Sequence, residues 1–252
     1  MHGNEEVAVG EIHRHHDEVR TINRNSLYSL DYSSDKNWGM SVQLPMLSRD
    51  HTHVHNHHGE QITEDWGYNE VGDVRMLGRY GMASKSMGLI AGLKLPTGDT
   101  KITNAEGELA ERTLQPGTGT TDGIVGAYYR HPFHGSNHSW FSQALFQIAA
   151  SDHNDFRPGN STTLDVGYRY AMTDKLGLLA QTNLLIKGED KGAEAEPEDS
   201  GGRYLFLSPG VSYQVGDSMQ LYGFMQLPVA RFVNGVQLNA DYSLSAGVSV
   251  RF

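Results

Sequence analysis

The chain contains no cysteine. That absence excludes a disulfide framework and removes thiolate metal and redox chemistry, while leaving the compartment open. No apolar run approaches the roughly 18 residues that a membrane-crossing helix needs, so helical spanning is excluded. Basic residues are in the minority, with 20 Lys and Arg against 30 Asp and Glu in 252 residues. The resulting net charge of -10 offers no basic stripe to neutralise phosphates and argues against general nucleic-acid binding. The first residues, MHGNEEVAVG, have neither a basic n-region nor an apolar h-region. An exported chain of this form is therefore expected to be a mature one whose signal was removed. Neither H-E-x-x-H nor G-x-S-x-G occurs, and the only hint of a nucleophile with its base is Ser151 and His153 beside Asp152 and Asp155.

What is present is alternation. In residues 242–252, Tyr242, Leu244, Ala246, Val248, Val250 and Phe252 fall on one face, and Ser243, Ser245, Gly247, Ser249 and Arg251 on the other. This is the period of a strand with one apolar and one polar side. A final strand closing on a terminal Phe resembles the end of bacterial outer-membrane β-barrels. Negative mean hydropathy is no objection, because such strands alternate lipid-facing and lumen-facing residues.

From about residue 26 the chain repeats one cycle of alternating run, short turn, alternating run and longer polar connection. The short turns fall at 35–37, 83–86, 134–137, 173–175 and 216–218, and the long connections at roughly 48–70, 98–121, 152–160, 188–202 and 231–241. The apolar faces include Trp38, Met40, Val42, Leu44 and Met46, then Met87, Leu89, Ala91, Leu93 and Leu95. Between 124 and 130 two faces compete, Val125, Ala127 and Tyr129 against Ile124, Gly126 and Tyr128. About eleven runs result, whereas single-chain bacterial barrels have even strand numbers. Residues 5–12 (EEVAVGEI) are the one candidate for a twelfth strand. The expected fold is all-β: a transmembrane antiparallel up-and-down β-barrel of about 12 strands with long extracellular loops and short periplasmic turns. It forms one domain over 1–252, in which 1–25 supplies the first strand and a His-rich loop. A soluble β-sandwich is the alternative, but Tyr and Trp recurring near run ends suit the aromatic girdles of a membrane barrel better.

Three upward runs end in Leu44-Pro45, Leu95-Pro96-Thr97-Gly98-Asp99 and Leu227-Pro228, where each Pro should sit at a place of loosened pairing. Together with Gly72-Asp73-Val74, the Gly117 to Asp122 stretch (GTGTTD) and Ser208-Pro209-Gly210, these resemble the outer-membrane channel family named for the meta-pathway of phenol degradation. The likeness covers about 26–252. It implies a barrel in the bacterial outer membrane that passes small, often aromatic or apolar, compounds. The His-rich segment after Pro45 departs from that pattern.

The inward faces are expected to present Asp73, Arg75, Arg79, Lys94, Asp165, Arg169 and Arg251, with Tyr222 and Phe224. Such a wall either forms a basic constriction beneath acidic loops, favouring anions or dipolar solutes, or is filled by mutual ion pairs. The aromatic side chains either line an apolar path or plug the lumen. The sharpest local feature is Asp50-His51-Thr52-His53-Val54-His55-Asn56-His57-His58. Extended, it projects alternate imidazoles to one side, a donor set for Zn or Cu(II). If residues 5–12 are a strand, His13, His15 and His16 lie in a neighbouring external loop. A solvated loop with incidental metal affinity is the plainer account.

Three readings follow: a monomeric passive channel for small solutes in outer-membrane lipid, a surface barrel that captures Zn or Cu, and a structural or adhesive surface protein. No organic cofactor is implied.

Overall fold

The computed structural model describes residues 2–6, 17–57, 60–82 and 86–252. Among the described residues thirteen strands are formed: β1 (His2–Gly3), β2 (Asp17–Ser33), β3 (Trp38–His57), β4 (Glu60–Val71), β5 (Val74–Gly81), β6 (Met87–Leu95), β7 (Asp122–Pro132), β8 (His138–Ala149), β9 (Ser161–Ala171), β10 (Leu176–Lys187), β11 (Gly202–Val215), β12 (Met219–Val236) and β13 (Ser243–Val250). The one helical turn among the described residues is a 3-10 turn at Pro197–Asp199. All thirteen strands lie in a single curled sheet in which sequence neighbours pair antiparallel from β5 to β12, with β3 bridging β2 to β5. β13 pairs the lower half of β12, and β1 continues along the same edge above it. Eleven strands run the height of the wall, matching the eleven alternating runs. The proposed twelfth, 5–12, falls mainly outside the described residues.

The sheet is oily on its outside. Leu89, Leu93, Val125 and Val166 are all exposed on the outward face, whereas the buried apolar side chains are few: Trp66, Ala110, Ile124, Ala149, Phe156 and Val233. A water-soluble sandwich would bury such a continuous aliphatic face, and a membrane barrel turns it to lipid. The competing register at 124–130 resolves the same way, with Ile124 1% exposed and Val125 56% exposed.

The prolines sit where pairing changes. Pro45 lies on β3 between the end of its ladder with β5 at Gln43 and the start of its ladder with β4 at Met46. Pro228 faces Phe206 at a bulge between Leu205 and Phe206. Each position needs no N–H from that residue.

Two long connections differ from expectation. Residues 48–70 are not an open loop, because β3 runs on to His57 and returns as β4, with β2 beside it from Asp17. Cross-strand packing explains the difference: His51, His53 and Trp66 share one face and bury one another. Residues 231–236 likewise belong to β12 rather than to a loop. A tilted spanning strand needs only about 9–11 residues, so the 20 residues of β3 carry a three-stranded extension far above the wall.

Candidate functional site

The inner wall is assembled by setting a large side chain on one strand across a glycine on the next. A Cβ built on Gly167 would lie 2.3 Å from the Phe141 ring. The same distance separates Gly210 from the Phe224 ring and Gly247 from that of Tyr222, and Gly88 lies 2.6 Å from Tyr128 by the same construction. Leu77 crosses Gly92 and Leu145 crosses Gly126 in the same manner, each at 2.6 Å. Glycine inside a strand costs backbone entropy and contributes no packing of its own. Here it permits the neighbour's ring to lie along the wall and cover the bare backbone, an arrangement known as aromatic rescue. The sequence places Tyr222 and Phe224 on the inner face, leaves Tyr128 on one of two competing faces and gives Phe141 no position. The signal for each is the inward glycine opposite it, Gly88 for Tyr128 and Gly167 for Phe141.

The charged side chains form a separate cluster on β5 to β8. Lys94 Nζ lies 3.1 Å from Asp73 Oδ2 and 3.0 Å from Asp122 Oδ2, with all three side chains buried. Gln147 donates to Asp122 at 2.6 Å and accepts from Arg75 at 2.7 Å. Asp73 also accepts from the backbone N–H of Thr118 at 2.9 Å, the Thr118 hydroxyl at 2.8 Å and the Gly98 N–H at 3.1 Å. Asp73 and Lys94 therefore fasten both ends of the 98–121 connection to the wall. Arg79 reaches Asp31 at 3.9 Å and donates to Ser33 at 2.5 Å. Asp165 accepts from Asn183 at 2.7 Å, whose own oxygen accepts from Ser208 at 2.7 Å. Arg169 lies against Gly177, and Arg251 follows β13 at the lower rim, its N–H bonded to the Ser218 carbonyl. Asp73 thus pairs with Lys94, and Asp165 is held by an amide rather than by a cation.

Above the wall the connections lock together as a cap. Residues 98–121 lie against the β3–β4 extension, where Tyr68 donates to the Leu114 carbonyl at 2.8 Å, Arg49 to that of Thr113 at 3.2 Å and Trp66 to that of Glu108 at 3.4 Å. The Arg112 guanidinium stands 4.9 Å over the ring of buried Phe156. Buried Asp190 accepts from the Gly159 N–H at 2.7 Å and from Lys187 at 2.9 Å, joining the β8–β9 and β10–β11 connections. Ser151 is used within this cap, accepting from the Thr121 N–H at 3.3 Å, while the His153 ring packs on Gly119. That geometry gives Ser151 and His153 structural roles.

The histidines divide into two groups. His51 and His53, both 2% exposed, pack on Trp66, with ring centroids 6.0 and 4.5 Å from it. His51 Nδ1 lies 2.7 Å from the Thr21 hydroxyl, and His53 Nε2 lies 3.0 Å from Glu64. Burial first, then the neighbouring His53 and Arg49, pushes the His51 imidazole down to about 4. His55 and His57 continue β3, and nothing is described of their side chains. His58, His13, His15 and His16 lie outside the described residues. Among the described residues no three His, Asp or Glu side chains converge as a metal site.

An outward aliphatic face, a curled antiparallel sheet and a polar cap define a bacterial outer-membrane β-barrel. Residues 70–248 match the family described as the MetA-pathway of phenol degradation, and the chain belongs to that family. Its fold is similar to that of an outer membrane channel from Pseudomonas putida, with a TM-score of 0.55 and 14% identity over 98% of this chain and 100% of that one. Weaker likenesses are to OmpT, an outer membrane protein of Vibrio cholerae (TM-score 0.43, 6% identity, 97% and 99% covered), and to a Pseudomonas aeruginosa FadL homologue (TM-score 0.41, 10% identity, 90% and 66% covered). A comparison with curated proteins finds no match.

Proposed function

We propose that this protein is a monomeric passive channel that carries small apolar or aromatic solutes across the outer membrane, and that it performs no chemistry on them. The observation that carries the reading is the glycine-backed aromatic wall, in which Phe141, Phe224, Tyr222 and Tyr128 lie along the inner face. The charged groups support it from the other side: Lys94 and Arg75 balance Asp73 and Asp122 in one cluster that also holds the cap, leaving little net field to draw anions. The family description and the channel from Pseudomonas putida agree with this reading.

The test is uptake of radiolabelled toluene by cells producing the protein, alongside single-channel conductance in a planar bilayer. Uptake above the vector control and a steady current are expected. A sealed barrel, showing neither, overturns the reading. Repeating the current with micromolar Zn or Cu tests metal capture at the external histidines, whose signature is a block reversed by chelator.

A further inference from the structure

The inner wall is not uniform along β11 and β12. Near its outer end the bulge between Leu205 and Phe206 breaks the ladder with β12 at Pro228, and a bulge bends the strand locally and opens the surface beside it. A cleft of about 230 Å³ forms there, lined by Leu185, Tyr204, Phe206, Pro228, Arg231 and Leu238 and covered by Asn239 and Ala240. The Tyr204 and Phe206 rings stand parallel, 6.3 Å apart and 9° from coplanar. Phe224 and Tyr222 continue the aromatic face further down the neighbouring strand, with centroids 6.4 Å apart.

We propose that this cleft is a binding site for one neutral aromatic ring with short substituents, and that it holds solute at the outer end of the channel. The second half of that statement rests on the channel reading; the binding site itself does not. Size comes first. An engineered apolar cavity of about 150 Å³ accepts benzene, so a cleft of 230 Å³ has room for a ring with a short substituent. Polarity decides the class. Arg231 supplies the lining's positive charge, and it is paired with the Glu6 carboxylate and donates to the Ala240 carbonyl at 3.4 Å. The Tyr204 hydroxyl donates to Gln237 at 3.2 Å, and the Asn239 amide donates to the Gln237 carbonyl at 3.3 Å. An anionic ring would have to displace Glu6 to gain a partner, whereas a neutral ring meets Leu185, Phe206, Pro228 and Leu238 as they stand. Flat apolar contact of this kind suits stacked or edge-on rings.

The experiment measures binding of 4-fluorotoluene by ¹⁹F NMR to the full chain in lipid nanodiscs, with empty nanodiscs subtracted. 4-Fluorobenzoate is the charged comparison. A saturable component of one ligand per barrel is expected for 4-fluorotoluene, with at least tenfold weaker binding of the benzoate. Leu185→Trp, which fills the cleft, and Leu238→Lys, which charges its lining from a connection rather than a strand, should each weaken binding at least tenfold. Heat-resistant migration on a gel shows that both variants are folded. Unchanged binding in a folded variant overturns this cleft as the site, and tighter binding of the benzoate overturns the neutral class. Absent saturable binding with toluene uptake intact overturns the site and leaves the channel standing. Binding without uptake or current keeps the site and overturns its place on a transport route.

Discussion

Phe141 lies flat across Gly167, so close that a Cβ on the glycine would fall 2.3 Å from the ring's Cε1 and Cζ atoms. The two residues are directly paired on β8 and β9. Gly167→Val must therefore move the ring, and the wall behind it leaves the bore as the open direction. Conductance is expected to fall several-fold, and Phe141→Ala in the same chain should restore it. Single-channel recordings decide the matter: unchanged current in a folded Gly167→Val barrel means that ring placement does not set the bore.

Lys94 is the keystone of the cap. Replacing it with Met leaves Asp73 and Asp122 facing each other, buried, with their common cation gone. Removing one partner from a buried ion pair typically costs about 3–5 kcal/mol. Lys94→Met should lower the urea midpoint by a corresponding amount and expose 98–121 to protease. Thr118→Val, which removes a hydroxyl bonded to Asp73, should cost about 1 kcal/mol. Equal protease resistance in all three proteins would show that the cap is held elsewhere.

The extension carries its own pH dependence. His51 is held neutral by burial, with its folded value near 4 against 6.5 for an ordinary histidine. The unfolded hairpin thus binds more protons between those values, so its stability is complete above about pH 6.5 and declines as pH falls toward 4. Trp66, 4.5 Å from His53 and 6.0 Å from His51, reports the change. Protection factors across 48–70, which discount the intrinsic slowing of exchange in acid, should fall on moving from pH 7 to pH 4.5, and His51→Phe should flatten that fall. A profile identical in wild type and variant would remove His51 from the account.

Much of this was legible in the alternation. Period two separates faces whatever the tertiary context, so Leu89, Leu93 and Met40 could be placed outward from the sequence alone. The prolines were legible for a similarly local reason, since Pro45 and Pro228 cannot donate to a ladder. Three features were not. The His51–His53–Trp66 cluster needs β4 folded back on β3, and a polar His-rich stretch carries no apolar period to announce a strand. The Lys94 latch joins residues from two strands with the β6–β7 connection and the start of β7, an association that only the assembled sheet reveals. Phe141 over Gly167 was half visible, because the glycine could be read but its neighbour across the ladder depends on register.

Closure of the wall is expected to need the first residues. Among the described residues β2 and β13 share no ladder, and both expose side chains on both faces, as Leu27 and Tyr28 do on β2. Unpaired strand edges cannot face the hydrocarbon of a bilayer, because each unmet backbone group costs several kcal/mol there. β1 fixes residues 2 and 3 along β12 directly above β13, and β2 begins at Asp17 on the opposite edge. We propose that residues 5–12 supply a twelfth strand that fills the gap and makes the count even. Deleting residues 1–16 is therefore expected to abolish heat-resistant migration and steady current together. A truncated chain that conducts like the whole one would show that β2 and β13 close on each other directly, with the N-terminal segment dispensable to the wall.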